Sequence, residues 1–209
     1  MQFFPFATTI MKNNAFPIVI AITVGILILT GVLLARGVLN LSSNEGGGTF
    51  QRVSAEAILN KSAPAFALTD LDGKVYSSEM FKGKNVVLFF NEGLRCYPAC
   101  WNAMVALGGD ERFRTADTAA FSVVVDSTGE WERAREKVPE LQQVNVLFDK
   151  DKSVSRAFGM LDVPSSMHKG SLLGHTYVVI DKKGIVRSII DDPRMGTLND
   201  QIAEEISKL

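Results

Sequence analysis

The chain has 209 residues, 46% of them hydrophobic, and its 22 basic and 23 acidic residues give a formal net charge of -1. This length suffices for one domain with a hydrophobic core. The charges are spread along the chain, so there is no basic stripe of the kind that binds nucleic acid. The two cysteines are too few for a disulfide-stapled small domain or a four-thiolate zinc site.

The first 39 residues predict a membrane anchor. Residues 15–35 form an apolar run without a charge, and at ~1.5 Å rise per residue such a run spans a hydrocarbon core of about 30 Å. A cleaved signal peptide is the alternative, but its apolar region is shorter, about 7–15 residues. Residues 34–36, which read LAR, also make a poor cleavage site. We therefore expect one uncleaved transmembrane helix.

Residues 40–52 predict a flexible linker between this anchor and a folded domain. The stretch NLSSNEGGGT is polar and rich in glycine, so it buries too little apolar surface to become ordered. The domain itself is expected over residues 53–209.

The predicted elements of this domain alternate between strands and helices. Strands are expected at residues 66–68, 74–76, 85–90, 119–125, 144–148, 175–180 and 185–190. Helices are expected at residues 53–59, 101–107, 130–137, 153–158 and 197–209. The Asp72-Gly73 pair indicates a hairpin between the first two strands. This alternation predicts an open α/β sheet, to which the last strand pair adds antiparallel strands.

Both cysteines follow the buried strand at 85–90, where a helix is expected to start. Catalytic groups of open α/β sheets collect beyond the carboxyl ends of their strands. If the helix begins near Tyr97, Pro98 occupies its first turn and Cys96 lies at its cap, where unpaired N–H groups stabilise a thiolate. The charge of Arg95 acts in the same direction. Cys100 then lies one turn further on the same face, within reach of Cys96.

Two unrelated core thiols are the structural alternative, because free cysteine is among the most buried residue types. The strand-loop-helix context, the proline and the adjacent Arg95 favour a chemical role instead. We therefore predict that Cys96 is the attacking thiol and that Cys100 resolves the intermediate.

Three segments of the domain carry a family resemblance. They are APAFALTDLDGKVYSSEMFKGKNVVLFF, VNVLFDKDKSVSRAFGM and HTYVVIDKKGIV, within residues 60–192. They resemble the thioredoxin-fold redoxins of the AhpC/TSA, or peroxiredoxin-like, group. The resemblance implies a thioredoxin-like α/β fold with a central mixed sheet flanked by helices. It also implies a thiol-disulfide oxidoreductase or peroxide-reducing antioxidant protein, whose partners are a protein disulfide or peroxide substrate and a thiol reductant.

The chain departs from the family pattern at its site. Its motif is C-x-x-x-C rather than the C-x-x-C of thioredoxins, and no Thr or Ser stands where a peroxiredoxin loop binds peroxide. The position that is a cis-proline in thioredoxins and an arginine in peroxiredoxins corresponds, by the resemblance, to His175. We expect its imidazole to face the cysteines and to accept a proton from one or to steady a thiolate. His168 is expected to be an ordinary loop residue, either solvated or structurally hydrogen-bonded.

Copper binding is the alternative function, and without it no cofactor is expected. The C-x-x-x-C motif with a downstream histidine resembles the copper-delivery proteins of the Sco type, in which two thiolates and an imidazole bind copper. The ligands would be Cys96, Cys100 and His175, and Met160, Met167 or Met195 could add a thioether.

The expected location is the extracytoplasmic side of a cell membrane, with one span. Basic residues flank the apolar run about equally, so the positive-inside rule does not set its orientation. The side follows from the redox chemistry, because a cytosolic thiol pool would hold the cysteine pair reduced.

Overall fold

The computed structural model of the chain describes residues 54–209, whose strands form one mixed sheet in the order β2-β1-β5-β4-β3-β6-β7. The strands are β1 (Ala67–Thr69), β2 (Val75–Ser77), β3 (Asn85–Phe90), β4 (Thr118–Val124), β5 (Val146–Phe148), β6 (Thr176–Ile180) and β7 (Val186–Asp191). The α-helices are α1 (Ala99–Gly109), α2 (Thr128–Lys137), α3 (Ser153–Ala157) and α4 (Asn199–Ser207).

Strand β3 lies inside the sheet and is buried along its whole length. It pairs in parallel with β4 and antiparallel with β6, so both of its edges are hydrogen-bonded. A continuous apolar run rich in β-branched and aromatic residues is typical of a strand covered on both faces. The strand predicted at residues 85–90 is therefore confirmed, together with the antiparallel pair β6 and β7 at the C-terminal side.

Alternate side chains of β3 enter two separate hydrophobic clusters, one on each face of the sheet. Val86, Leu88 and Phe90 belong to the first cluster, which α3 also contributes to. Val87 and Phe89 belong to the second cluster, which contains both cysteines and side chains of α1 and α2. The cysteine pair thus lies on one defined face of the sheet.

The first hairpin forms where the sequence predicts it, one residue later on each strand. Strands β1 and β2 pair antiparallel, and the N–H of Gly73 donates to the carbonyl of Asp70 across the turn. Gly73 has φ of 79°, a conformation that glycine adopts without a Cβ clash.

Four predicted helices begin at other residues in the structure; α1 begins two residues earlier than predicted and α4 two residues later. The segment predicted as a helix at 53–59 forms only a 3-10 helix, Ala55–Ile58, and Ser54 makes no side-chain capping bond there. Helix α2 instead begins two residues earlier than predicted. Ser127 and Glu130 form a capping box, which satisfies the first N–H groups of the helix reciprocally.

The predicted anchor at residues 1–39 and the predicted linker at 40–52 lie outside the described residues. Between residues 54 and 209, none of the helices has the length and hydrophobicity that a membrane span requires.

Gly108 and Gly109 provide a matched test of how α1 packs. A Cβ at Gly108 would collide with the backbone carbonyl of Gln143, whereas one at Gly109 would meet only the end of the Gln143 side chain. We expect Gly108→Ala to lower the free energy of unfolding by about 1–3 kcal/mol through overpacking. Gly109→Ala should be close to neutral, since the side chain can move. Urea unfolding followed by circular dichroism measures both, and equal effects would contradict this packing.

Candidate active site

Three segments meet at one end of the sheet because of its register. Phe90, the last residue of β3, pairs with Thr176, the first residue of β6, and Thr176 pairs with Asp191, the last residue of β7. The loop after β3 carries the cysteines, the residue before β6 is His175, and residues 192–198 follow β7. These segments therefore lie side by side at the end of the sheet where the sequence predicts the catalytic groups.

The two cysteines are joined in a disulfide, with their Cα atoms 5.3 Å apart. Cys96 is 6% exposed and Cys100 is 1% exposed. The neighbouring Tyr97 is 73% exposed, and its ring contacts that of Trp101 at 5.1 Å. Both cysteines are therefore buried, and Cys96 is the slightly more exposed residue of the two.

The predicted place of Cys96 at the cap of the helix is wrong. Helix α1 begins at Ala99 with Pro98 as its N-cap residue, so Cys96 precedes it and Cys100 lies in its first turn. The residue before a proline is driven out of the helical region, which prevents a helix from starting at Tyr97. The N–H of Cys100 donates to the carbonyl of Cys96 at 3.0 Å. The helix dipole therefore favours negative charge on Cys100 more directly than on Cys96.

Asp126 fixes the loop that carries the cysteines. Its Oδ2 accepts hydrogen bonds from the N–H of Leu94 at 3.0 Å and from Nε1 of Trp131 at 3.1 Å. Gly93 passes so close that a Cβ there would collide with this carboxyl group, and its φ is 62°. Burial raises the pKa of Asp126, and the hydrogen bonds from Leu94 and Trp131 oppose that rise, as does, more weakly, the charge of Arg95.

His175 is fully buried and lies against Cys100. Its Nδ1 is 3.6 Å from Sγ of Cys100, and its Nε2 is 3.0 Å from the carbonyl oxygen of Gly196. A carbonyl only accepts, so Nε2 carries the proton. The Nδ1 of a neutral ring then presents its lone pair to Cys100.

The environment of His175 keeps its ring neutral. Burial lowers the pKa of His175, although the Gly196 carbonyl and the charges of Asp192 and Asp191 oppose this. The ring also packs edge-to-face on Phe89, with centroids 4.6 Å apart. His175 is therefore a buried base whose free nitrogen faces a thiol position.

A side-chain network holds the backbone of His175. Its N–H donates to Oγ of Ser165 at 2.6 Å, and that hydroxyl donates to the Asp191 carboxylate. The same carboxylate accepts a hydrogen bond from Thr176 at 2.7 Å. The residue before His175 is glycine, Gly174, because a Cβ at that position would collide with the hydroxyl of Ser165. None of these supporting residues was predicted, since nothing in their local sequence indicates which distant strand they contact.

The loop after β7 supplies the remaining contacts of the site. Asp192 accepts hydrogen bonds from the N–H groups of Gly196 at 2.9 Å and Arg194 at 3.0 Å. Burial alone would raise the pKa of Asp192, but these bonds lower it. Within this loop, Sδ of Met195 lies 3.8 Å from Sγ of Cys96. The sequence predicted Met195 only as one of three thioethers for copper.

Arg95 and His168 are placed differently from the other candidates. Arg95 is exposed, and its charge acts on Asp126, so its predicted effect on the thiolate stays a prediction. His168 is a loop residue of the expected kind, since its side chain is 57% exposed and its Nδ1 lies 3.3 Å from the carboxyl group of Glu92, which is 2% exposed. This contact connects the cysteine loop to the segment before β6.

The copper alternative gains no support from this geometry. Its three proposed ligands do lie together, but the sulfurs of Cys96 and Cys100 are bonded to each other and present no thiolates. Across residues 54–209, the structure has no group of three or more His, Cys, Asp or Glu side chains arranged to hold a metal ion.

Solved structures confirm the thioredoxin-like fold. The reduced 2-Cys peroxiredoxin of Plasmodium vivax superposes with a TM-score of 0.58 at 24% identity, covering 72% of this chain and 80% of that one. A putative protein disulfide isomerase of Bacteroides thetaiotaomicron gives a TM-score of 0.54 at 18% identity, covering 71% and 90%. The mixed α/β sheet flanked by helices is thus common to this chain and to known thioredoxin-like proteins.

Sequence comparisons identify the family. Thioredoxin peroxidase of Fasciola hepatica is 33% identical over 151 residues, which are 64% of this chain and 72% of that protein. Chloroplastic peroxiredoxin Q of Suaeda salsa is 30% identical over 130 residues, and the chain spans only 58% of its length. The profile of the Redoxin family matches residues 59–205. Since that match takes in every strand, both cysteines and His175, the chain belongs to the Redoxin family.

Proposed function

We propose that this protein is a peroxiredoxin-like thiol oxidoreductase that cycles between a Cys96, Cys100 dithiol and the disulfide. One observation carries the proposal. The unprotonated nitrogen of a buried, neutral His175 lies 3.6 Å from the sulfur of Cys100, which is bonded to Cys96. A structural disulfide has no need of a base at that position.

Cys96 is the attacking thiol in this proposal. It is the slightly more exposed residue of the two buried cysteines, and it directly precedes the exposed Tyr97. As a thiolate, it attacks one sulfur of a protein disulfide or one oxygen of a peroxide. In the first case the substrate's S–S bond breaks, one of its sulfurs leaves as a thiol, and a mixed disulfide remains on Cys96. In the second case the O–O bond breaks, water or an alcohol leaves, and a sulfenic acid remains.

Cys100 resolves that intermediate, and His175 is its base. Nδ1 of His175 takes the proton of the Cys100 thiol, and the resulting thiolate attacks the sulfur of Cys96. The leaving group is the second thiol of the substrate or, from a sulfenic acid, water. The product is the disulfide described above, which an external thiol reductant returns to the dithiol. The sulfurs of Cys96 and Cys100 give up and regain both electrons themselves, so the proposed cycle needs no cofactor.

The proposed substrates are protein disulfides and peroxides. The names of the relatives from Fasciola and Suaeda favour peroxide. The lack of a Thr or Ser in a peroxide-binding loop favours disulfides, or a slower reaction with peroxide.

Serine variants of the two cysteines test the order of attack. With an aromatic model disulfide that releases a coloured thiol, the reduced protein should release two equivalents, one in each step. Cys100→Ser should release one equivalent and stop as a mixed disulfide on Cys96, and Cys96→Ser should lose turnover. Release of one equivalent by Cys96→Ser, as fast as the first equivalent from the wild-type protein, would show that Cys100 rather than Cys96 is the nucleophile.

The pH dependence of the second step tests His175. Burial lowers the pKa of His175 below its ordinary value of about 6.5, so the base stays unprotonated as the pH falls to that value. In His175→Gln, resolution should depend on an ordinary thiol with a pKa of about 8.5. The resolution rate of this variant should be about 100-fold lower than that of the wild-type protein at pH 6.5, and it should rise about tenfold per pH unit. His168→Gln is the matched control. If it matches His175→Gln, the role assigned to Nδ1 is wrong.

We further propose that residues 15–35 anchor the protein in a cell membrane, with residues 40–52 as linker and residues 53–209 as an extracytoplasmic domain. The uncharged apolar run supports the anchor. The side is proposed because a cytosolic thiol pool would hold the cysteine pair reduced.

Arginine substitutions test the anchor. One arginine at the centre of a span costs about 2.5–3.5 kcal/mol of insertion free energy. The double variant Leu27→Arg, Leu29→Arg should therefore leave the membrane fraction during an alkaline wash, whereas Ser42→Arg in the linker should stay. An impermeant protease should digest the domain on intact cells, and protection would place it on the other side.

A further inference from the structure

A third sulfur belongs to the site. Sδ of Met195 is 3.8 Å from Sγ of Cys96, and the Met195 side chain packs against the hydrophobic cluster that contains both cysteines. It is partly exposed, so small oxidants from solvent can reach it. The catalytic steps proposed above make no use of this thioether.

The backbone holds Met195 in an uncommon conformation. Its φ is 56°, in the left-handed region that an L-residue with a Cβ seldom occupies. Hydrogen bonds to Asp192 hold it there, since the carbonyl of Asp192 accepts from Met195 N–H and its carboxylate from Gly196 N–H. Strained residues of this kind persist where the surrounding structure requires them, and they cluster at functional sites.

We propose that Met195 is a built-in substrate of the cysteine pair: peroxide oxidises its thioether to the sulfoxide, and Cys96 and Cys100 reduce it back. This activity, an intramolecular methionine sulfoxide reduction, rests on the proposed dithiol function. It gives the chain a second entry point for oxidant, which matters because its sequence lacks the hydroxyl residue of a peroxide-binding loop.

The chemistry balances without any further reagent. In the first step, peroxide gives one oxygen to the Met195 sulfur and leaves as water. Cys96 then attacks the sulfoxide, the oxygen passes to the Cys96 sulfur, and the thiol proton ends on that oxygen, giving a sulfenic acid and the free thioether. Cys100 displaces the hydroxyl group, which leaves as water, and the disulfide forms. Two thiols have been oxidised, one sulfoxide has been reduced, and the thiol reductant of the cycle restores the pair.

The other methionines of the described residues serve as internal controls. Met80 and Met167 are 53% and 65% exposed, so peroxide reaches them at least as easily as Met195. Met104 and Met160 are fully buried. Of the exposed or partly exposed methionine sulfurs in residues 54–209, Met195 is the one in contact with a cysteine.

The test is a single turnover within the full chain. The disulfide form is treated with hydrogen peroxide, the peroxide is removed, and dithiothreitol, which leaves methionine sulfoxide intact, reduces the cysteines. Peptide mass spectrometry then follows the sulfoxides with time. We expect the sulfoxide of Met195 to be lost while those of Met80 and Met167 persist. In Cys96→Ser it should persist at all three positions.

A second variant covers the case in which Cys96→Ser fails to fold. Cys100→Ser keeps the first step, so loss of the Met195 sulfoxide should leave a sulfenic acid on Cys96 that dimedone labels. Because peroxide also oxidises the unprotected Cys96 directly, the labelling is compared with that of the double variant Cys100→Ser, Met195→Leu, which should be lower. The proposal is overturned if peroxide spares Met195 while it oxidises Met80 and Met167. It is equally overturned if the Met195 sulfoxide persists in the reduced wild-type protein, or disappears without Cys96.

The failure of this proposal can be told apart from failure of the proposed function. A reduced protein that releases two coloured equivalents from the model disulfide, yet leaves the Met195 sulfoxide intact, retains the dithiol function and lacks the repair activity. A protein that does neither lacks the dithiol function itself.

Discussion

The strand register at one end of the sheet is the constraint on which the site depends. Phe90, Thr176 and Asp191 are in line across β3, β6 and β7. The residues that leave those strands must therefore lie together, although they are far apart in sequence. A slip of one residue would turn every side chain of a strand to the opposite face. The cysteines, His175 and Met195 hence owe their proximity to backbone pairing in the core rather than to attraction among themselves.

Within that frame, burial and hydrogen bonding divide the chemistry between the two nitrogens of His175. Burial disfavours the charged ring, and the Gly196 carbonyl fixes the proton on Nε2. The lone pair of Nδ1 therefore faces the sulfur of Cys100. Asp192 orders the loop that presents this carbonyl, and Ser165 and Asp191 hold the histidine backbone. The state of the imidazole is thus set by residues from both sides of the site.

Much of the fold could be predicted from local patterns, whereas the site could be predicted only in part. The apolar run of β3 and the Asp72-Gly73 turn carry their structure in adjacent residues. The predicted start of α1 differs from the structure because Pro98 is its N-cap residue rather than part of its first turn, and a proline disfavours a helical conformation in the residue before it. The cysteines and His175 were predicted from motif and resemblance. Asp192, Ser165 and Gly196 were not, since their roles depend on which distant segments the sheet brings together.

The different depths of the two sulfurs determine how the cycle can be entered. Cys100 is 1% exposed against 6% for Cys96, and it lies beside a buried ring. In the proposed cycle, an incoming reductant therefore meets the sulfur of Cys96 first, and Cys100 departs as the leaving group onto which His175 returns a proton. Oxidant and reductant then react at the same sulfur, one after the other, so the exposed Tyr97 next to it lies on the path of both.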